Sequence, residues 1–140
     1  MMLRILTLIL ILGATCHAAE DSFTAGKFWA AFRDAVLSNE ESKLISMIKL
    51  PLAVHGVSDN TPVKYYDRSE VPQLFHKILM QTEYLPVGNK IVPKTVLGLI
   101  YDKKVFPPED LQAQDRFRFY QLEFERIKGR WFLTGAYLEE

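Results

Sequence analysis

The chain has 140 residues, with 17 basic and 17 acidic side chains, a single cysteine, and 49% hydrophobic and 12% aromatic content. A formal net charge of zero argues against a nucleic-acid function, because binding a phosphate backbone needs a basic surface. The length fits one domain with its own hydrophobic core.

The opening MMLRILTLILILGATCHAAED has one early cation, Arg4, an apolar run from Ile5 to Leu12, and small residues after it. This is the pattern of a signal peptide, and the run is too short to span a membrane. Cys16, His17 and Ala18 suit a cut before Ala19, so residues 1–18 are expected to be removed and 19–140 to form one domain, exported to a bacterial periplasm. A lipobox wants a large aliphatic residue at position 13, where Gly13 stands. With Cys16 discarded, the mature chain has 16 basic against 17 acidic residues and no thiol for a disulfide.

From Phe23 to Leu37, apolar Phe28, Trp29, Phe32, Ala35 and Val36 recur at helical spacing opposite Lys27, Arg33 and Asp34. Ser38 followed by Glu41 reads as a capping box for a second helix with Leu44, Ile45, Met47 and Ile48 as its stripe, closed by Pro51. LPLAVHGV, residues 50–57, reads as a strand running into the turn formers SDNTP. Asp67 and Ser69 are candidate caps of a third helix with Pro72 in its first turn and Val71, Leu74, Phe75, Ile78 and Leu79 buried. Pro86 and Gly88 follow its end. Beyond Gly88, IVPKTVLGLIY reads as a strand, FPPEDLQAQ as a loop, and the last 25 residues as two strands.

In the closing hairpin, Lys128 and Gly129 as the turn pair Arg126 with Trp131, Phe124 with Leu133, Leu122 with Gly135 and Tyr120 with Tyr137. The inner face is then Tyr120, Leu122, Phe124, Trp131, Leu133 and Tyr137. Phe117, Phe119, Phe132, Ala136 and Leu138 fall outside, and of these Phe117, Phe119, Phe132 and Leu138 are the candidate surface for a homodimer or a protein partner.

FWAAFRDAVLSNEESKLISMIKLPLAV at the start and FERIKGRWFLTG at the end, with the element order between them, resemble the nuclear transport factor 2-like superfamily, which includes the SnoaL-like proteins. The resemblance spans about residues 23–138. It implies an α+β fold of the cystatin-like cone type, with N-terminal helices on a strongly curved, mostly antiparallel sheet around an apolar pocket. Candidate pocket residues on that basis are Trp29, Tyr66, Tyr84, Tyr101, Tyr120, Trp131 and Tyr137.

Three roles remain open to such a chain. One is non-catalytic binding of a small apolar ligand or a protein partner, and it is the first reading. Another is an isomerase or dehydratase using His55 or Asp67 with a tyrosine such as Tyr66. The third is a periplasmic inhibitor or immunity-type protein acting through the sheet. His55 and His76 stand 21 residues apart without cysteine partners, so no metal is expected, and no nucleotide or nucleophile-elbow motif implies a cofactor.

Overall fold

The computed structural model describes the backbone of residues 17–106 and 115–139, and side chains from residue 25 onward. Residues 1–16 of the expected signal peptide and 107–114 of the expected FPPEDLQAQ loop lie outside the described residues. Four helices and seven strands are described, α1 His17–Leu37, α2 Glu41–Ser46, β1 Ile48–His55, β2 Lys64–Tyr66, α3 Val71–Leu79, β3 Thr82–Val87, β4 Lys90–Thr95, α4 Val96–Asp102, β5 Arg116–Phe119, β6 Leu122–Ile127 and β7 Arg130–Tyr137. The fold is α+β. Five strands form a mixed sheet in the order β2-β1-β7-β6-β5, in which only β1 and β7 are parallel neighbours, and β3 and β4 form a separate hairpin.

Helix α1 starts six residues before Phe23 and buries Trp29, Phe32, Ala35 and Val36 as its spacing requires, with Phe28 half-buried. Ser38 does not cap α2. Asn39 at φ 54° ends α1, with Asn39 N–H donating to Val36 O at 3.3 Å and Glu40 N–H to Ala35 O at 2.9 Å. That is a Schellman ending, in which a short polar residue takes the left-handed position. Ile48 belongs to β1 rather than to α2, because Met47 already closes the helix and its carbonyl accepts from Leu133 N–H of β7 at 2.9 Å.

The segment beyond α3 differs most from expectation. Thr82–Val87, for which the sequence suggested no element, is a strand, Gly88 at φ 60° turns it into β4, and VLGLIY is helical instead of extended. Thr95 decides the last point, since its Oγ1 accepts from Gly98 N–H at 3.1 Å as an N-cap, and Val96, Leu99 and Ile100 then fall on one buried face. The carbonyls at the end of α4 are satisfied from α1. Arg33 donates from Nε to Ile100 O at 3.1 Å and from Nη2 to Tyr101 O at 2.7 Å, and Trp29 Nε1 donates to Lys103 O at 2.8 Å.

The C-terminal region has three strands, not two, and two local features account for the changed faces. Tyr120, at φ 49°, turns β5 back onto β6 so that Phe119 pairs with Leu122 and Phe117 with Phe124. Directly opposed residues share a face, so Phe117 and Phe119 are core and not an outer surface. A bulge then places one extra residue in β7, moving Glu123 opposite Gly135 and Leu122 opposite Ala136. Beyond it every β7 side chain changes sides, so Ala136 is fully buried, Leu138 turns towards the helices and Tyr137 moves outward.

Up to the bulge the expected register holds, with Ile127 opposite Arg130, Arg126 opposite Trp131 and Phe124 opposite Leu133. The turn has φ 50° at Lys128 and 79° at Gly129, a geometry that suits Asn-Gly. We expect Lys128→Asn to stabilise the protein slightly and Gly129→Ala to destabilise it by about 1 kcal/mol, both read from urea midpoints at constant m.

The core is aromatic. Trp29 lies 4.7 Å from Phe119, 5.3 Å from Phe106 and 6.0 Å from both Phe32 and Phe124, measured between ring centroids. Phe117 stacks on Phe124 at 4.6 Å and meets Trp131 at 5.2 Å. Trp131 is buried, and its Nε1 meets no hydrogen-bond acceptor among the described residues.

Candidate functional site

The parallel strands β1 and β7 finish side by side, with His55 opposite Tyr137 and Leu138 N–H donating to His55 O at 3.0 Å. On the other side of β1, antiparallel β2 sets Lys64 opposite Val54 and Tyr66 opposite Leu52. Alternation therefore turns Val54, Lys64, Tyr66 and Leu138 to the helix side of the sheet and His55, Tyr65 and Tyr137 to the other.

Gln81, just past α3, fixes the opposite wall. Its Nε2 donates to Tyr137 O at 2.8 Å and its Oε1 accepts from Glu139 N–H at 2.8 Å. The side-chain amide thus bonds the end of β7 as a neighbouring strand would, and it ties that end to α3.

Two adjoining cavities open between these elements. One, of about 360 Å³, is lined by Val54, His55, Lys64, Tyr66, Leu138, Glu139 and the loop from Gly56 to Pro62. The second is a cleft of about 900 Å³ running along α3 past Gln73, Leu74, Lys77, Met80 and Gln81. Tyr66, Leu138 and Glu139 border both. Each volume falls in the range of small-molecule sites. Gly56 shapes the smaller one, because a Cβ there would stand 2.6–2.9 Å from the Thr61 side chain. Only glycine lets the loop fold back this closely.

Tyr66 lines both cavities from the helix side, whereas His55 borders the smaller one at the end of β1 with its ring stacked on Tyr137 of the outer face, and Tyr65, 66% exposed, borders neither. Asp67 does other work. Its Oδ1 accepts from Ser69 Oγ at 2.6 Å, Ser69 N–H at 2.9 Å and Glu70 N–H at 3.3 Å, while Glu70 Oε2 accepts from Asp67 N–H at 2.9 Å. This reciprocal pair leads into α3, and the bonds from Ser69 hold the Asp67 carboxyl below its ordinary range. A base working near neutrality needs the opposite shift.

The depressed value makes a signed prediction. The contribution of Asp67 to stability is present above its unfolded-state range, near pH 4, and is lost as pH falls through the lower folded value. Asp67→Ala should therefore be less stable than wild type at pH 7, and the gap in urea midpoint should close on acidification to about pH 2. A gap independent of pH would contradict this role of Asp67 in the turn before α3, whose N-cap is Glu70 rather than the expected Asp67 or Ser69.

The other expected pocket residues scatter. Trp29 and Trp131 are walls of the packed core rather than of either cavity. Tyr84 is 69% exposed on β3, Tyr101 is 60% exposed beside Arg33, and Tyr120 sits at the β5–β6 turn. Tyr137 lies on the outer face, its ring 5.0 Å from that of His55 and 4.1 Å from the Arg118 guanidinium, and its hydroxyl donates to Glu123 Oε1 at 3.1 Å. Burial first, and then the Glu123 carboxylate, push its phenol above the ordinary value.

Of the expected surface residues, Phe117 and Phe119 are buried, Leu138 lines the cleft, and Phe132 stays half-buried on the outer face under Arg130. Gln81, Glu139 and the Gly56–Thr61 contact were not singled out from sequence. Gln81 carried no signal there, since its role depends on where β7 ends. Among the described residues no group of three or more His, Cys, Asp or Glu side chains could hold a metal, and no helix is long and apolar enough to cross a membrane. No protein-family model and no curated protein matches this chain.

Proposed function

We propose that this protein is an exported binding protein, free of residues 1–18 when mature, that holds a small molecule with an apolar part in the cleft between α3 and the ends of β1, β2 and β7. The observation that carries this reading is the cavity of about 360 Å³ on which apolar Val54, Tyr66 and Leu138 meet polar Lys64 and Glu139. The reading includes a nuclear transport factor 2-like cone. It is supported by two N-terminal helices, a β1–β2 hairpin, a third helix, and a last strand parallel to the first. The ligand then sits at the rim of the cone, since aromatic rings fill the interior.

The test is native mass spectrometry of protein recovered from its own cells. A retained mass that leaves on denaturation is expected, and it should be lost in Tyr66→Ala and in Ser58→Trp, which narrows the same cavity from an exposed position. Retention in both folded variants would place the ligand elsewhere. The absence of any adduct, together with no thermal stabilisation by a panel of apolar small molecules, would overturn the reading.

A further inference from the structure

We propose that the outward face of the β3–β4 hairpin binds the same face of a second copy of this chain, giving a weak two-fold dimer. The inference is independent of the ligand-binding reading, because neither cavity is lined by a residue of the hairpin. Register divides the hairpin into two faces. Tyr84 stands opposite Pro93 and Pro86 opposite Ile91, so these four share one face, while Glu83, Leu85, Val92 and Lys94 share the other. The second face is turned to the body of the protein. Leu85 packs against the core, Glu83 Oε1 accepts from Gln121 Nε2, and Lys94 pairs with Asp102 of α4. The first face is exposed at all four positions, with Tyr84 at 69% and Ile91 at 64%, and it carries no charge.

The prolines decide how such a face can be used. A proline has no N–H to give the ladder, so the pairs Tyr84–Pro93 and Pro86–Ile91 are the non-hydrogen-bonded ones, and their nitrogens point to the two free edges. Each edge thereby lacks a donor that an added strand would need, which leaves the face for contact. Tyr84 and Ile91 lie on one diagonal of the quartet and the two prolines on the other. A two-fold axis in the plane of the face, along or across the strands, therefore sets Tyr84 and Ile91 of one copy on prolines of the other and never on each other. A face without charge also meets its own copy without opposing like charges. Four side chains this exposed offer on the order of 400 Å² per copy, about half the area of a standard interface, which places Kd at about 100 µM.

Sedimentation equilibrium of the mature protein from about 10 µM to about 1 mM tests this. The mean mass is expected to rise from one protomer towards two, and amide shifts on dilution should cluster within 82–95. Tyr84→Glu and Ile91→Lys should each weaken association about ten-fold or more at the wild-type Tm, since both side chains are exposed. Tyr101→Glu, at a position 60% exposed on α4, should associate as wild type does. A wild type that stays monomeric throughout overturns the dimer, and if it then binds phosphatidylcholine vesicles while Tyr84→Glu does not, the face is a lipid surface instead. Association that survives both hairpin substitutions, or that Tyr101→Glu weakens equally, overturns the assignment to this face. Should either hairpin variant lose Tm as well, the dilution shifts decide, and shifts centred outside 82–95 overturn it.

Discussion

Trp29→Ala is expected to cost about 4 kcal/mol, lowering Tm by roughly 10–20 °C in a domain of this size. Trp29 is fully buried at the point where α1 meets the sheet, and its ring contacts Phe32, Phe106, Phe117, Phe119 and Phe124. Truncation leaves a cavity walled by rings that cannot all collapse into it, and it removes the donor to Lys103 O. Trp29→Phe separates the two effects, because it keeps most of the apolar contact while losing the hydrogen bond. Its loss should be nearer 1–2 kcal/mol, read from urea midpoints. A loss below about 1 kcal/mol for the alanine variant would show that the aromatic cluster is not the centre of stability.

Phe117→Glu is expected to prevent folding altogether. Phe117 is 1% exposed and sits between Phe106, at 4.4 Å, and Phe124, at 4.6 Å. A carboxylate there loses the ring contacts and either remains charged without a partner or takes up a proton, and the combined penalty is comparable to the whole stability of a small domain. Had Phe117 lain on an outer surface, the same substitution would have left the fold intact and dissociated a dimer. Circular dichroism and sizing of the variant separate the outcomes, since an unfolded or aggregated chain fits a core residue and a folded monomer fits a surface one.

These two residues show where the sequence was informative. Trp29 was legible because the 3.6-residue spacing of α1 runs unbroken from Trp29 through Phe32 and Val36. The Lys128-Gly129 turn fixed its nearest pairs for a similar reason, since a tight turn leaves no freedom in counting outward. Phe117 was not legible. Its face depends on a turn at Tyr120, a residue type that seldom adopts positive φ, so nothing in QDRFRFYQLEF marks the reversal. The bulge at Thr134–Gly135 had a faint mark in Gly135, and missing it inverted Ala136, Tyr137 and Leu138 together.

At the candidate site, Tyr66 and His55 could be singled out because each stands in or beside a strand of fixed alternation. The cleft itself could not be, since it arises where Gln81 meets the end of β7, a contact across 56 residues of chain. TVLGLIY misled for a different reason. Val, Leu and Ile fill strands and buried helices alike, and the Thr95 cap that separates the two readings is a single residue.

The most direct measurement is ¹⁵N–¹H shift mapping of the folded protein titrated with the small molecule that native mass spectrometry finds on it. Saturating shifts at Tyr66, Leu138, Glu139 and the Gly56–Thr61 loop, with the Trp29 indole unmoved, are what the cleft predicts. Shifts centred on the Trp29 indole and the aromatic core, or on Arg118, Glu123 and Phe132 of the outer sheet face with the cleft silent, would contradict it.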